Sequence, residues 1–559
     1  MKGANSNLGV PGLVALGVVV SALGLFVIAS PVHRMNFVAD DVFYVTLPAK
    51  HLADDDGAGF PSLDGTNPTN GFHPAIFGID YLLARAGVED IYIVNMVLGL
   101  ACMMLTALLY YRYVARLASR EVAVWATAAL VANPFLLASA LSGLESTLFT
   151  VAIVIYYGRL YAMVDDWCQG RLQPWPSWLL QGFLGVVAYL CRTEFLFHML
   201  GHAMAFFILL GAGWRAGRRH DCVRCFAPWL LLVVPPTVAF FCYGWFGKTM
   251  TGHFTQSSAS QKSVIHDLFA GNLSAIEPLR FYADFQHHGL LPLLLMLVPL
   301  FYCLRQWRRV RPGLLFMLCS TFFILFSYSL LIPIYQWHYM ASYVVMASLT
   351  LPMFLQEGGP DGGGRVPALL PLAILLGSTA MVAWVFFTDR DNFYLFRNLD
   401  TVFAVVFAGV WILRPRRGDF QRRQFQALAA AGLASCLTMV WKGNSFRNLH
   451  HYRSVLATEL RDLLSADSRV GVAAAGIYAK FLGPGHRRVI NLDGAISWPA
   501  LEAIREGRLH AFIDEQDIDI LCEFPPVPGF VQTAHELVQV RETLPVVIAR
   551  FNSKYGDGD

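Results

Sequence analysis

The 559-residue chain is 56% hydrophobic and only 14% charged, against roughly 25% charged residues in an ordinary soluble domain. That balance places it in the membrane class, and a net charge of only +3 gives no reason to expect a nucleic-acid partner. Forty-one Phe and thirteen Trp fit aromatic belts at two membrane interfaces.

The chain opens "MKGANSNLGVPGLVALGVVVSALGLFVIAS". Its apolar run of about twenty residues is long enough to cross a bilayer, and no small-residue cleavage pattern follows, so a retained first helix is expected rather than a signal peptide. Runs of spanning length recur at 11–31, 91–111, 122–141, 146–163, 178–191, 195–213 and 226–246. They continue at 289–304, 313–332, 338–356, 366–387, 399–413 and 424–441, which makes about thirteen spans. With the N-terminus inside, "RYVARLASR", "RAGRRHDCVR", "RQWRRVR" and "RPRRGDFQRR" all fall on the inner side, as the positive-inside rule requires. An odd span number puts the C-terminal segment outside.

Three outer segments are long enough to work: 31–90, 248–290 and 442–559. In the first, "FVADDVFYVTLPAKHLADDDG" leaves the first span with two adjacent carboxylates, Asp40 and Asp41. From Asp41 to Ala53, residues Val42, Val45, Ala49 and Leu52 share a helical face, with Asp40 available as N-cap and Pro48 expected to bend or break the helix. "GAGFPSLDGTNPTNG" reads as loop. Pro74 then opens a second amphipathic helix, "PAIFGIDYLLARAG", suited to lie along a membrane surface. The tail reads as a small α/β domain: "RVGVAAAGIYAKFL", "RRVINLDGAI" and "DIDILCEF" as short buried strands, "SWPALEAIREGRL" as helix. No internal repeat is visible.

Of ten Cys, most lie in apolar runs or basic loops, and no disulfide framework is apparent. "CVRC" at 222–225 has metal-like spacing, but no second Cys or His pair answers it. "DDDG" at 54–57 invites a calcium reading, yet the Glu such a loop needs at its twelfth position is Gly65. The sequon at Asn272 is a weak pattern.

Asp40 and Asp41 point in different directions on a helix, so one can cap while the other serves as general base or metal ligand; helix capping with ordinary solvation is the competing account. "PTNGFHP" places Asn70 and His73 in a stiff loop. "LSGLESTLF" puts Glu145, and "CRTEF" puts Arg192 and Glu194, at the outer ends of spans, where interfacial snorkelling competes with a functional role. "FGKTMTGHFTQSSASQK" brings Lys248, His253 and Lys262 to the same side, and "IYQWHYM" adds Tyr335, Trp337 and His338. A secondary transporter concentrates polar groups near the bilayer midplane. Here they gather at the outer boundary.

The acidic pair after the first helix, "TNGFHP", "SGLESTLF", "RTE" and the "FG…S…K" loop at 246–262 together resemble bacterial GT-C glycosyltransferases. The tail at 474–494, "AAGIYAKFLGPGHRRVINLDG", is similar to outer domains of arabinofuranosyl- and mannosyltransferase-like members, departing where Lys480 and Phe481 replace a Gly-Tyr turn. The resemblance implies a membrane all-α multispan bundle over 1–441, GT-C-like, followed by an outer-face α/β domain over 442–559. It implies transfer of a sugar, a pentose such as arabinofuranose or a hexose, from a polyprenyl-phosphate donor to a glycan, lipid or protein acceptor. The transfer would occur on the non-cytoplasmic face of a bacterial inner membrane, by inverting single displacement, with Asp40 or Asp41 as base. Asn70, His73, Glu145, Arg192, Glu194, Lys248, His253, Lys262, Tyr335, Trp337 and His338 are the candidate substrate contacts. The sequence assigns no cofactor, although a divalent metal ion can share phosphate stabilisation. The alternative is a flippase or transporter of polyprenyl-linked glycans.

Overall fold

The computed structural model describes residues 9–54, 59–65, 67–117, 119–171, 173–215, 226–262, 312–327, 449–465, 467–482 and 489–555, with isolated positions between 345 and 440. The chain divides into two units. One comprises Met1–Ser30, Met96–Phe240 and Val264–Ser445; the other comprises Pro31–Asn95, Phe241–Ser263 and Phe446–Asp559.

The first unit is helical. Among the described residues five helices are long and apolar enough to cross a membrane: Val10–Ala29, Ile91–Leu117, Ser146–Cys168, Phe195–Arg215 and Phe226–Thr251. Trp175–Cys191 and Pro312–Ile324 are shorter apolar helices. The chain is a multi-pass membrane protein. The spans expected at 289–304, 366–387 and 399–413 lie outside the described residues, as does nearly all of 338–356 and of 424–441. The span expected at 122–141 is two helices, Arg120–Val131 and Pro134–Leu141. Proline disfavours helical backbone in the residue before it, and Asn133 there accepts the Leu136 amide at 3.2 Å, restarting the helix.

Packing in this unit relies on close approach. A Cβ on Gly201 would lie 2.3 Å from Ser320 Cα, so only glycine lets Phe195–Arg215 meet Pro312–Phe326 there. Beside it, the Tyr157 hydroxyl lies 2.8 Å from His198 Nδ1 and 3.1 Å from His202 Nε2, and the Tyr156 hydroxyl lies 3.3 Å from His202 Nδ1. These four side chains are fully buried, and their mutual bonds reduce the cost of burying polar groups.

The second unit is built on a five-stranded sheet: β1 (Val470–Val472), β2 (Val489–Asn491), β3 (Ile520–Cys522), β4 (Phe530–Gln532) and β5 (Val538–Arg541). The order is β2-β1-β3-β5-β4. β1 pairs in parallel with β2 and β3, while β5 pairs antiparallel with β3 and β4. Only the start of "RVGVAAAGIYAKFL" is strand; Ala475–Leu482 is helix. It buries Ala475, Ile477, Tyr478 and Leu482, and the alanine-rich run favours that state. One sheet face is covered by Leu449–Leu463 and Pro545–Tyr555, whose Leu456, Leu460 and Phe551 join Val472 and Ile520 in a core. The segment Pro31–Asn95 shares that core through Tyr44 and Leu63. The other face is closed by Trp498–Arg505 and Leu509–Glu515.

Candidate active site

Within the second unit the acidic pair sits in a 3₁₀ turn, Asp40–Val42, that leads into the helix Phe43–Ala53. That helix runs unbroken through Pro48, and its N-cap is Val42 rather than Asp40. Asp40 caps a different helix. Its Oδ1 accepts the Ile477 amide at 2.7 Å and its Oδ2 the Gly476 amide at 3.3 Å, at the start of Ala475–Leu482. The tight turn aims the side chain outward from its own segment, and the amides of a helix N-terminus favour a carboxylate.

The place is chemically distinctive because it lies outside the carboxyl ends of the parallel strands, where β1 is flanked by β2 on one side and β3 on the other. Open α/β sheets present such a crevice to ligands. Around Asp40 stand Asp41, Tyr44, Arg453 and Asp493. Tyr44 accepts the Ala475 amide at 3.0 Å and an Asn491 Nδ2 bond at 3.3 Å. Arg453, on Leu449–Leu463, grips Glu523 with Nε at 2.7 and 3.0 Å and Nη2 at 2.5 Å. The Tyr478 hydroxyl donates to the same carboxylate at 2.9 Å. Glu523 follows β3 with a left-handed φ of 53°, a conformation a non-glycine residue adopts at a cost.

Burial pushes the Asp40 carboxyl up to about 6, against the opposing Ile477 bond and Arg453 charge; the Asp41 carboxylate adds to the rise. Asp40 nevertheless remains half-buried by surface, so solvent or a small hydroxyl can reach it. Asp493 also rises to about 6, again chiefly by burial, partly offset by the Ala495 amide bond and reinforced by the Asp40 and Asp41 charges. Burial lowers His450 to about 4; its Nδ1 lies 2.8 Å from the Val38 carbonyl oxygen. A carboxylic acid poised near neutrality among polar groups is suited to take a proton.

The other expected contacts fall into three groups. Asn70, 1% exposed, is a tie between segments: Nδ2 donates to the Thr255 carbonyl at 2.8 Å, and Oδ1 accepts Ser257 N at 3.2 Å and Trp498 Nε1 at 3.1 Å. His253 stacks on Trp498 with centroids 3.7 Å apart and lies 3.2 Å from Glu502 Oε1. His73 is the backbone N-cap of Pro74–Arg85. Lys248 is exposed beside the Trp245 ring, with Nζ 5.9 Å from its centroid, and Lys262 ends the short helix Ser257–Lys262. In the helical unit, Arg192 is clamped between Glu145 at 2.5 Å and Glu194 at 2.9 Å, and also donates to Ser146 at 3.0 Å. Tyr335, Trp337 and His338 lie outside the described residues. Among the described residues no group of three His, Cys, Asp or Glu side chains is arranged to hold a metal ion.

Sequence reasoning missed Tyr44, Arg453, Glu523 and Asp493. Asp493 carried one readable signal, the "NLDG" run that closes a strand pattern at its carboxyl end. Arg453 carried none, because its partner Glu523 is 70 positions away.

No family model matches the chain, and no curated protein sequence matches it. Among solved structures, ArnT from Cupriavidus metallidurans bound to undecaprenyl phosphate superposes with a TM-score of 0.50 at 12% identity, covering 88% of each chain. The archaeal oligosaccharyltransferase AglB from Archaeoglobus fulgidus, in complex with an inhibitory peptide and a dolichol-phosphate, gives a weaker TM-score of 0.46 at 12% identity, over 91% of this chain and 69% of that one. The chain thus shares its fold with ArnT.

Proposed function

We propose that this protein is a glycosyltransferase that takes a sugar from a polyprenyl-phosphate donor, with Asp40 as general base. The observation that carries the reading is the Asp40 carboxyl, held by two helix amides outside the parallel strands and raised to about 6. A carboxylate has about four acceptor sites, so two amide bonds leave room for an acceptor hydroxyl. That hydroxyl oxygen attacks the anomeric carbon and forms the new C–O bond as its proton passes to Asp40. The bond from the anomeric carbon to the phosphate oxygen breaks, its electron pair leaving with polyprenyl phosphate, and the anomeric centre inverts. The donor class is supported by the lipid phosphate in the ArnT structure of the same fold; the acceptor is a hydroxyl-bearing glycan, lipid or protein. Incubation with a radiolabelled polyprenyl-phosphate sugar tests the reading. Label that moves to water or to an acceptor hydroxyl supports it, while transbilayer movement of intact donor without bond cleavage points to a flippase.

Two further expectations belong to this reading. Residues 1–441 form the membrane part and 442–559 lie outside, with the N-terminus in the cytoplasm of an inner membrane. Reporter fusions after Arg116 and after Arg309 should read cytoplasmic and one after Gly443 periplasmic; a cytoplasmic signal at Gly443 breaks the odd span number. Lys248 and Lys262 supply charge for the leaving phosphate, so Lys248→Ala or Lys262→Ala should lower donor kcat/KM. Wild-type efficiency in both across a donor titration removes them from that role.

A further inference from the structure

We propose that Arg453, locked by Glu523, is a positioning residue that holds a positive charge opposite the Asp40 carboxylate, making the tail a working part of the base rather than an appended domain. The inference rests on Asp40 as base, though its test does not require transfer.

Three observations converge. Glu523 keeps a left-handed backbone at φ 53°, a position where glycine would be unstrained. Strain of that kind persists where the surrounding structure fixes it and marks functional sites. Its carboxylate is fully engaged, taking three bonds from Arg453 and one from Tyr478. Such a clamp fixes the guanidinium plane of Arg453, which stands one turn along the same helix from His450, whose Nδ1 lies 2.8 Å from the Val38 carbonyl oxygen two residues before Asp40; from there its charge acts on Asp40. Finally, the helix that receives Asp40 has glycine at the contact: a Cβ on Gly476 would lie 2.5 Å from the Asp40 carbonyl oxygen and 3.0 Å from its Oδ1. The turn and the tail are fitted to each other at the carboxylate itself.

The charged and titratable groups around Asp40 are Asp41 and Tyr44 on its own segment, and Arg453 and His450 on Leu449–Leu463. Among the described residues, Tyr478, on the capped helix, Asp493 after β2 and Glu523 after β3 stand with them. Among these, Arg453 is the cation that lowers Asp40. Losing it should raise Asp40. Neutralising Glu523 leaves the Arg453 charge less compensated and should lower Asp40. The two substitutions break the same ion pair and are expected to act with opposite sign.

The sign in stability follows. Asp40 has a folded value of about 6 against an ordinary 3.8, so its stabilising contribution is complete below the ordinary value and is lost as pH rises through 6. The experiment measures the detergent melting temperature of the full chain from pH 4 to 8 for wild type and Asp40→Asn, and takes the difference curve as the Asp40 component. The pair is then repeated in Arg453→Met and in Glu523→Gln. The midpoint of the component should rise in Arg453→Met and fall in Glu523→Gln, each by roughly half a unit to one unit. Midpoints that stay fixed, or that move in the same sense, overturn the proposal; should Arg453→Met not be recoverable, the direction in Glu523→Gln decides. Gly476→Ala gives an independent reading. Alanine suits a helix better than glycine, so a purely structural contact predicts an unchanged component, whereas displacement of Asp40 from its amides should shift it upward. If Asp40→Asn transfers sugar normally, the base assignment fails, whatever the midpoints do.

Discussion

Asp40→Asn is expected to fold and to transfer almost no sugar. The substitution separates the cap from the proposed base. As a cap, Asp40 accepts amide bonds from Gly476 and Ile477, and asparagine serves nearly as well as aspartate at helix N-termini. As a base, it must take a proton, which an amide oxygen cannot usefully do. Loss of a general base typically costs about 10²–10⁴-fold in rate. The expected pattern is therefore a melting temperature at neutral pH equal to or above wild type, because a buried charge is removed, with transfer reduced by that range. Asp40→Ala is the companion: it loses the cap as well, at about 1 kcal/mol, and should melt lower than Asp40→Asn. Asp41→Asn removes a like charge that raises Asp40, so the acid limb of the rate profile should move to lower pH. Transfer by Asp40→Asn within a few-fold of wild type would move the base elsewhere, with Asp41 next in line.

Much of the architecture was legible because it follows from short-range rules. Apolar run length marked the helices Val10–Ala29, Ile91–Leu117, Ser146–Cys168 and Phe195–Arg215, since a bilayer demands about twenty apolar residues of each. Alternation and turn residues marked β1, β2 and β3. They did not mark β4 and β5, where Phe530–Gln532 is a mostly exposed edge and Val538–Arg541 offers an alternation of only four residues. The site was legible only on one side. An acidic pair after the first span is conspicuous in a chain so poor in charge, but its setting is made by residues some 400 positions later: Gly476, Ile477 and Arg453. Asn70 shows the same limit. Sequence presented it as a candidate substrate contact, whereas its amide is committed to Thr255, Ser257 and Trp498, partners no local pattern could announce.

Arg192→Ala should damage folding. The guanidinium, 3% exposed, bridges Glu145, 4% exposed, and Glu194, 9% exposed, and it donates in addition to Ser146. Removing it leaves two buried carboxylates facing each other without their cation. Breaking a buried pair by deleting one partner costs about 3–5 kcal/mol, because the remaining charge has lost both water and its counter-ion. A lower yield of monodisperse protein and a clearly reduced melting temperature in detergent are expected. The triple variant Arg192→Met, Glu145→Gln, Glu194→Gln should recover a large part of that loss, since it deletes the stranded charges together with the cation. The rescue separates a structural clamp from a phosphate ligand. A residue whose two terminal nitrogens are each committed to a carboxylate contributes to the donor only if the clamp opens, and an Arg192→Ala protein of wild-type stability with a selectively raised donor KM would be the signature of that opening.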